Sequence, residues 1–340
     1  MTPKAFGRRD LLKWSGAASA SALLSNSASA QTKEILDLLG VKVPAEIGNI
    51  NLTSKPLALL ARIAKIVELE KLANQRDLPR SSLLAIDTAP LPASEGSLYR
   101  AALPRLVTLI DRAEGVDNDL ADQAGSVLAD MNLEQRIIPD ALKEKQTLLP
   151  NRDFAGLKSE YATLFASAEI NTGASDSLTW HVDAMRKFRD RYEAVGNLVK
   201  VPWYFIGAIH GLEASFNFRS HLHNGDFPLS ARTRQVPSGR PSVWLPPVDW
   251  ASSAKDALKL LGFTGQSDWS IERTLYRFEA YNGFGYRRKG VASPYLWSFS
   301  NHYESGKFVS DGRWNAKAKS QQCGAAVMIK ALVNAGDISL

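Results

Sequence analysis

Two carboxylate side chains separated by a short polar segment are the residues of this sequence best suited to acid–base chemistry. Glu213 lies in an apolar run, with Ile209 and Phe216 as its neighbours at the helical spacings i−4 and i+3. A carboxyl group flanked in this way is poorly hydrated, which predicts a raised pKa and suits a general acid near neutral pH. Asp226 instead follows an Asn-Gly dipeptide beside a polar turn. Two carboxyl groups in contrasting environments suit glycosidic-bond hydrolysis, and the alternative is a turn aspartate with a glutamate paired to a nearby arginine.

A buried helix and a hairpin are the elements that must position these two groups. Pro202 suits the first turn of a helix, where a missing N–H costs nothing. Apolar residues then recur at helical spacing as far as Phe216, which predicts a helix that is apolar on most of its surface. The Asn-Gly dipeptide is the strongest short signal for a tight hairpin. The alternation from Leu229 to Thr233 predicts the returning strand, so a small β-hairpin is expected beside the helix that carries Glu213.

Two short motifs resemble those of known cell-wall enzymes. The segment EASFNF resembles the E-S-x-F-x-P segment that carries the catalytic glutamate of lytic transglycosylases and goose-type lysozymes, although Phe218 stands where transglycosylases favour proline. The segment AYNGFGYR resembles the A-Y-N-x-G motif on the far wall of their cleft. The longer run IHGLEASFNFRSHLHNGDFPL is similar to a bacterial and phage group described as lysozyme family proteins, and the similarity extends from about Tyr161 to the C-terminus.

The resemblance implies an activity and roles for three residues. Glu213 takes the position of the general acid, and Asp226 and Thr233 take the positions that hold the attacking water in phage-type lysozymes, at longer spacings than in those enzymes. The implied reaction is that of a muramidase, which hydrolyses the β-1,4 bond between N-acetylmuramic acid and N-acetylglucosamine in peptidoglycan. The implied fold is α+β and mostly α, a lysozyme-like domain with the small hairpin beside the catalytic helix. A lytic transglycosylase with a single catalytic glutamate, a wall-binding protein without activity, and a chitosanase or chitinase are the alternatives.

Polar and aromatic side chains around these motifs predict sugar-binding subsites. Amide and hydroxyl groups can bind N-acetyl groups and sugar hydroxyls, and indole rings can stack on sugar rings. The alternatives are a Pro- and Trp-rich loop that packs on itself and a glycine-rich turn that ends a helix. The predicted subsite residues are His223, Asn224, Trp244, Tyr281, Asn282, Tyr286, Tyr295 and Trp297.

The remaining chemistry that the sequence offers is limited. His221 and His223 form an H-x-H pair that could bind zinc, but hydrogen bonding at a turn is the commoner use, and no metal or other cofactor is predicted. The one cysteine, Cys323, forms no internal disulfide and is expected to be a buried, inert thiol. The sequence has no G-x-S-x-G motif, no P-loop and no paired C-x-x-C, which leaves serine hydrolase, nucleotide-binding and zinc-finger classes without support.

Charge and domain organisation fit an exported protein that acts on an anionic polymer. The chain of 340 residues is 45% hydrophobic and 22% charged, with a net charge of +6. The first thirty residues carry half of that charge, so the remainder is mildly basic, which suits peptidoglycan strands as the partner better than the polycation chitosan. Neither nucleic acid nor membrane insertion is expected, and the protein is expected to be a monomer.

Three regions are predicted along the chain. Residues 1–30 are similar to a twin-arginine signal peptide, with an A-x-A site before Gln31, which predicts a periplasmic or secreted protein. Residues 31–155 are expected to form a helical region that packs on the next domain or binds the wall or a partner. Residues 156–340 form the expected catalytic domain, in which Leu178–Leu198 is predicted as one helix and Lys317–Asn334 as a closing helix.

Overall fold

The centre of the fold is the helix α7, Trp203–Ala214, whose twelve residues are all buried. A helix that is apolar on every side is stable only when other elements surround it. Gly211 permits close packing at its end, because a Cβ atom there would lie 2.6 Å from the Phe216 ring. The predicted buried helix is therefore confirmed.

The helices that surround α7 make the fold mostly helical, as predicted. A computed structural model describes residues 54–81, 83, 91–92, 95–135, 153–243, 249–310 and 313–340, so Trp244 and the predicted signal peptide lie outside the described residues. The helices are α1 (Ser54–Gln75), α2 (Glu95–Ala113), α3 (Asn118–Gln135), α4 (Phe154–Ser167), α5 (Ser175–Lys187), α6 (Arg189–Val199), α7, α8 (Trp250–Leu260), α9 (Ile271–Asn282), α10 (Pro294–Trp297) and α11 (Ala325–Asn334). Short 3-10 helices span Thr172–Ala174 and Phe284–Lys289. Helix α7 packs against α3, α5, α6 and α11. In the described part of the chain, no helix combines the length and apolar character needed to cross a membrane.

The β-structure lies at a different place from the one predicted. Strands β1 (Lys307–Ser310) and β2 (Arg313–Asn315) form a two-stranded antiparallel sheet, in which Phe308 pairs with Trp314. From Leu229 to Thr233 the described chain forms a turn, a bend and irregular structure, so the prediction of a strand there is wrong. The Asn-Gly turn itself is present, because the His221 N–H donates to the Asp226 carbonyl at 2.8 Å. One further backbone hydrogen bond follows, from the Leu229 N–H to the Arg219 carbonyl at 3.0 Å. Beyond Thr233 the side chains of Asp226 and Thr233 bind the backbone, and no regular strand forms.

Two helix boundaries also differ from the sequence prediction. The helix predicted over Leu178–Leu198 is broken at Phe188, whose backbone angles of φ −97° and ψ 11° separate α5 from α6. This break lets both helices pack against α7. The closing helix begins only at Ala325, because the backbone is still extended at Gly324, with φ −70° and ψ 145°. Glycine is required there, since a Cβ atom would lie 2.3 Å from the Leu296 carbonyl oxygen.

Helices α1, α2 and α3 pack on one another and dock on the rest of the protein. Asp122 of α3 pairs with Arg219 at 2.6 Å, and Asp111 of α2 pairs with Lys187 at 2.5 Å. The Asn217 side chain donates to the Gly125 carbonyl at 3.4 Å. The described part of the predicted helical region thus packs directly on the segment that follows α7.

A buried ion pair links α9 to the 3-10 helix that follows it, and α4 packs against this pair. The Glu279 carboxylate, 2% exposed, accepts hydrogen bonds from the Arg287 guanidinium at 2.7 Å and from the Tyr161 hydroxyl at 2.5 Å. Burial raises the pKa of Glu279, and the pair with Arg287 acts in the opposite direction. Arg287 also pairs with the exposed Glu160 at 2.9 Å.

Replacing Arg287 with Met is expected to destabilise the protein by about 3–5 kcal/mol, because the Glu279 carboxylate would remain buried without its charged partner. Urea unfolding followed by circular dichroism measures this change. The matched control is Glu160→Gln, which removes the exposed partner of the same arginine and is expected to cost at most about 1 kcal/mol. Equal effects of the two substitutions would contradict the central role of the buried pair.

Candidate active site

Glu213 is the next-to-last residue of α7 and is 1% exposed. The Tyr295 hydroxyl, at the start of the short helix α10, donates a hydrogen bond to Glu213 Oε1 at 3.0 Å. The structure therefore brings together two of the residues that the sequence singled out. The Gln322 side chain donates to the Leu212 carbonyl at 2.9 Å and so binds the same end of the helix.

The backbone reverses immediately after Glu213. Ser215 and Phe216 both adopt left-handed conformations, with φ of 48° and 60°. The Ser215 and Phe216 N–H groups donate to the Gly211 and His210 carbonyls at 3.1 and 3.3 Å, which ends the helix. A left-handed backbone costs a residue with a side chain about 1–2 kcal/mol, so surrounding contacts must hold this turn in place. This strained turn begins two residues after Glu213.

Asp226 uses its carboxylate to hold the loop that follows it. Its Oδ2 atom accepts the backbone N–H groups of Arg234 at 2.6 Å and Gln235 at 2.9 Å, and the Asn224 amide at 3.4 Å. Its own N–H donates to Asn224 Oδ1 at 3.0 Å. In the described structure, no hydrogen bond joins Asp226 to Glu213.

Thr233 closes the same loop. Its hydroxyl donates to the Pro237 carbonyl at 2.6 Å and accepts the Arg240 N–H at 2.8 Å. The residue is 3% exposed. Asn224 adds a hydrogen bond from its amide to the Gln235 carbonyl at 3.1 Å. These contacts use the polar groups of Thr233 and Asn224 to fold the loop over residues 224–240.

The two histidines of the H-x-H pair dock this loop on α8. His223 Nε2 lies 2.7 Å from Asp256 Oδ2, and His221 Nδ1 lies 2.9 Å from the Ser253 hydroxyl. Burial lowers the pKa of His223 to about 4 and lowers that of His221. Arg240 pairs with the other oxygen of Asp256 at 2.8 Å. Both rings therefore serve as neutral hydrogen-bonding groups, and within the described ranges no cluster of three His, Cys, Asp or Glu side chains is arranged to hold a metal ion.

The end of α9 provides two further predicted residues. The Tyr281 hydroxyl donates to the Leu222 carbonyl at 2.7 Å, which ties α9 to the segment between α7 and the turn. Asn282 is 5% exposed, and none of the other described residues hydrogen-bonds to its amide. An amide without a partner among the described residues is suited to bind a polar group of a ligand.

The other aromatic candidates lie in packed surroundings. Tyr286 packs on Phe308 and Trp314, with ring centroids 5.4 and 6.0 Å apart, and its hydroxyl is bound by the Phe308 backbone. Trp297 is 2% exposed and lies edge-on to His302 at 5.2 Å. Its indole ring is in the core and presents no face on which a sugar could stack, so Trp297 is not part of the proposed site.

Sequence reasoning missed two residues that contact the turn after Glu213. Ser215 donates to Asn132 Oδ1 of α3, and its hydroxyl lies 3.2 Å from that of Tyr99 in α2. These partners are 83 and 116 residues away in the chain, and no local pattern in the sequence relates them to Glu213.

Comparisons with known proteins add nothing to this geometry: no protein-family model, curated protein or solved structure matches the chain.

Proposed function

We propose that this protein cleaves the β-1,4 bond between N-acetylmuramic acid and N-acetylglucosamine in peptidoglycan, with Glu213 as the proton donor. The observation that carries the proposal is the placement of Glu213, which is 1% exposed at the end of an apolar helix and hydrogen-bonded by Tyr295. The tyrosine hydroxyl orients the carboxyl group through Oε1, and in its neutral form this group can pass its proton to the leaving oxygen. A desolvated carboxyl group is well suited to donate a proton in this way.

The end of α9 supports binding of an N-acetylated glycan. The Asn282 amide can donate to an acetyl carbonyl and accept from an acetamido N–H. Tyr281 fixes this end of α9 against Leu222, in the segment that follows Glu213. We propose these two residues, with Tyr295, as the binding part of the site.

Two routes of cleavage differ in their need for a second carboxylate. In the muramidase route, Asp226 and Thr233 activate water, which adds to the anomeric carbon. In the transglycosylase route, Glu213 protonates the leaving oxygen while the substrate's acetamido oxygen supports the anomeric carbon. The same glutamate then removes the proton from the C6 hydroxyl, whose oxygen closes a 1,6-anhydro ring. The second route is favoured by the contacts of Asp226 and Thr233, whose polar groups already hold the loop.

Incubation of the purified protein with peptidoglycan sacculi, followed by mass spectrometry of the soluble muropeptides, tests both routes. The transglycosylase route gives 1,6-anhydro products that are one water molecule lighter than the reducing-end products of the muramidase route. Chitin and chitosan serve as alternative polymers in the same assay. If sacculi bind the protein but release no fragments, the protein is a wall-binding protein and the proposed activity is wrong.

Substitution of Asp226 by Asn is expected to lower kcat on sacculi by less than about tenfold, because the amide oxygen can still accept the backbone N–H groups of Arg234 and Gln235. Loss of a general base would instead lower kcat by about 10²- to 10⁴-fold. If Asp226→Asn loses that much activity while its melting temperature matches that of the parent, Asp226 is the catalytic base and the muramidase route is favoured. Asp226→Ala removes the acceptor altogether and is expected to lower the melting temperature of the protein.

A further inference from the structure

Three buried polar side chains from separate parts of the chain meet directly behind the Glu213 turn. Ser215, Asn132 and Tyr99 are 0%, 2% and 2% exposed. Asn132 Oδ1 accepts hydrogen bonds from the Ser215 hydroxyl and from the Tyr99 hydroxyl, the latter at 3.3 Å. The two hydroxyl groups are 3.2 Å apart. The three residues, called here the Ser215 network, join α2 and α3 to the residue that follows α7.

The Ser215 network holds a conformation that the backbone does not favour. Ser215 and Phe216 are consecutive residues with side chains at positive φ. Such conformations persist only where the surroundings hold them in place, and they are frequent at functional sites. The Phe216 ring packs against α7 at Gly211 and edge-on to Trp180 at 5.6 Å, so apolar packing holds one half of the turn. Hydrogen bonds from α2 and α3 hold the other half.

We propose that Asn132 and Tyr99 are positioning residues for Glu213, which makes helices α2 and α3 part of the catalytic apparatus. This inference rests on the proposed function. Only Ala214 separates Glu213 from Ser215, so a change in the backbone angles at Ser215 moves the end of α7 and with it the carboxyl group. A displacement of about 1 Å at a catalytic group can reduce the rate on the order of 100-fold.

Steady-state kinetics of Asn132→Leu on sacculi test the proposal, because leucine has a similar size and cannot accept the two hydrogen bonds. We expect kcat to fall on the order of 10- to 100-fold while KM changes by less than about twofold, since the substrate-binding groups on α9 are untouched. Tyr99→Phe, which removes one hydroxyl, is expected to give a smaller decrease in kcat. Asn132→Asp keeps an oxygen at the accepting position and is expected to restore most of the rate.

Two further variants separate positioning from simple stabilisation. Asp122→Asn removes the charge of a different contact between α3 and the segment after α7, the pair with Arg219, and is expected to leave kcat unchanged. Ser215→Gly removes the hydroxyl group but also relieves the strain of the positive φ, so its effects on stability oppose each other. For this variant we expect a lower kcat with little change in melting temperature.

The outcomes distinguish this inference from the proposed function. If the parent protein releases no muropeptides, the proposed function fails, and the positioning role fails with it. If the parent is active and folded Asn132→Leu has the same kcat, only the positioning role is wrong. The positioning role is also wrong if kcat falls equally in Asp122→Asn, because the loss of activity would then result from weaker packing of α3 on the rest of the protein.

Discussion

Replacing Glu213 with Gln is expected to lower kcat on peptidoglycan sacculi by about 10²- to 10⁴-fold. Glutamine has the same shape, and its carbonyl oxygen can still accept the Tyr295 hydroxyl at the position of Oε1. It cannot donate a proton to a leaving oxygen, so the loss falls on the chemical step rather than on binding. The size of the effect follows from Glu213 being the single proton donor in both routes of cleavage.

Zymography on sacculi and release of soluble muropeptides measure this loss, and sedimentation with sacculi measures binding. The matched control is Glu169→Gln, which makes the same chemical change at an exposed position. We expect Glu213→Gln to bind sacculi as the parent does and to release almost nothing, while Glu169→Gln remains fully active. Retention of most of the activity in Glu213→Gln would show that another group donates the proton, and the proposed mechanism would then be wrong.

The parts of the fold that the sequence predicts are those whose pattern is local. Helix α7 was predictable because a continuous apolar run with helical spacing can only be buried at the centre of a helical fold. The apolar surroundings and the resemblance directed attention to Glu213, and the aromatic character of its segment directed attention to Tyr295. The structure places the two side chains in contact. Neither result required knowledge of which distant elements surround the helix.

The segment after the Asn-Gly turn shows why the rest was not predictable. The alternation from Leu229 to Thr233 has the period of a strand, but a strand also needs a partner for its backbone. Here Asp226 and Thr233 bind the backbone themselves, so a compact loop replaces the returning strand. Side chains that hydrogen-bond to nearby backbone groups compete with regular structure, and the residue types alone do not tell which outcome wins.

Contacts between distant segments were the other missing information. The strained turn at Ser215 depends on Asn132 and Tyr99, which belong to a region without any recognisable motif. The H-x-H pair shows the same limit, because its partner Asp256 lies on α8 and decides that the ring of His223 is a structural group. In both cases the role of a residue follows from its partner.

Acidification is expected to destabilise the protein strongly, because buried histidines must remain neutral in the fold. Burial lowers the pKa of His181 and His223 to about 4 and that of His210 to about 3, against about 6.5 in the unfolded chain. Above about pH 6.5 these groups are neutral in both states, so they do not lower the free energy of unfolding there. As the pH falls from about 6.5 towards 4, the unfolded chain binds protons that the folded protein does not, and stability is lost.

The expected loss is comparable with the whole stability of a domain. Each of the three histidines contributes a loss of about 2–3 kcal/mol at about pH 4.5, or about 8 kcal/mol together. Total stabilities are typically about 5–15 kcal/mol. The raised pKa of Glu279 acts in the opposite sense, because the folded state takes up that proton more readily, but it is one group against these three histidines and His221, whose pKa burial also lowers.

Urea unfolding at a series of pH values between about 7.5 and 4.5 measures this dependence. His210→Gln is expected to reduce the slope below about pH 6 by about 1.4 kcal/mol per pH unit, the contribution of one titrating group. A free energy of unfolding that stays constant down to about pH 5 would contradict the prediction.

The same data bear on catalysis. If activity and the near-ultraviolet circular dichroism disappear at the same pH, the loss of activity results from unfolding driven by these histidines and not from titration of Glu213. A pH–rate profile of this protein can therefore be assigned to the active site only over the range where the fold is intact.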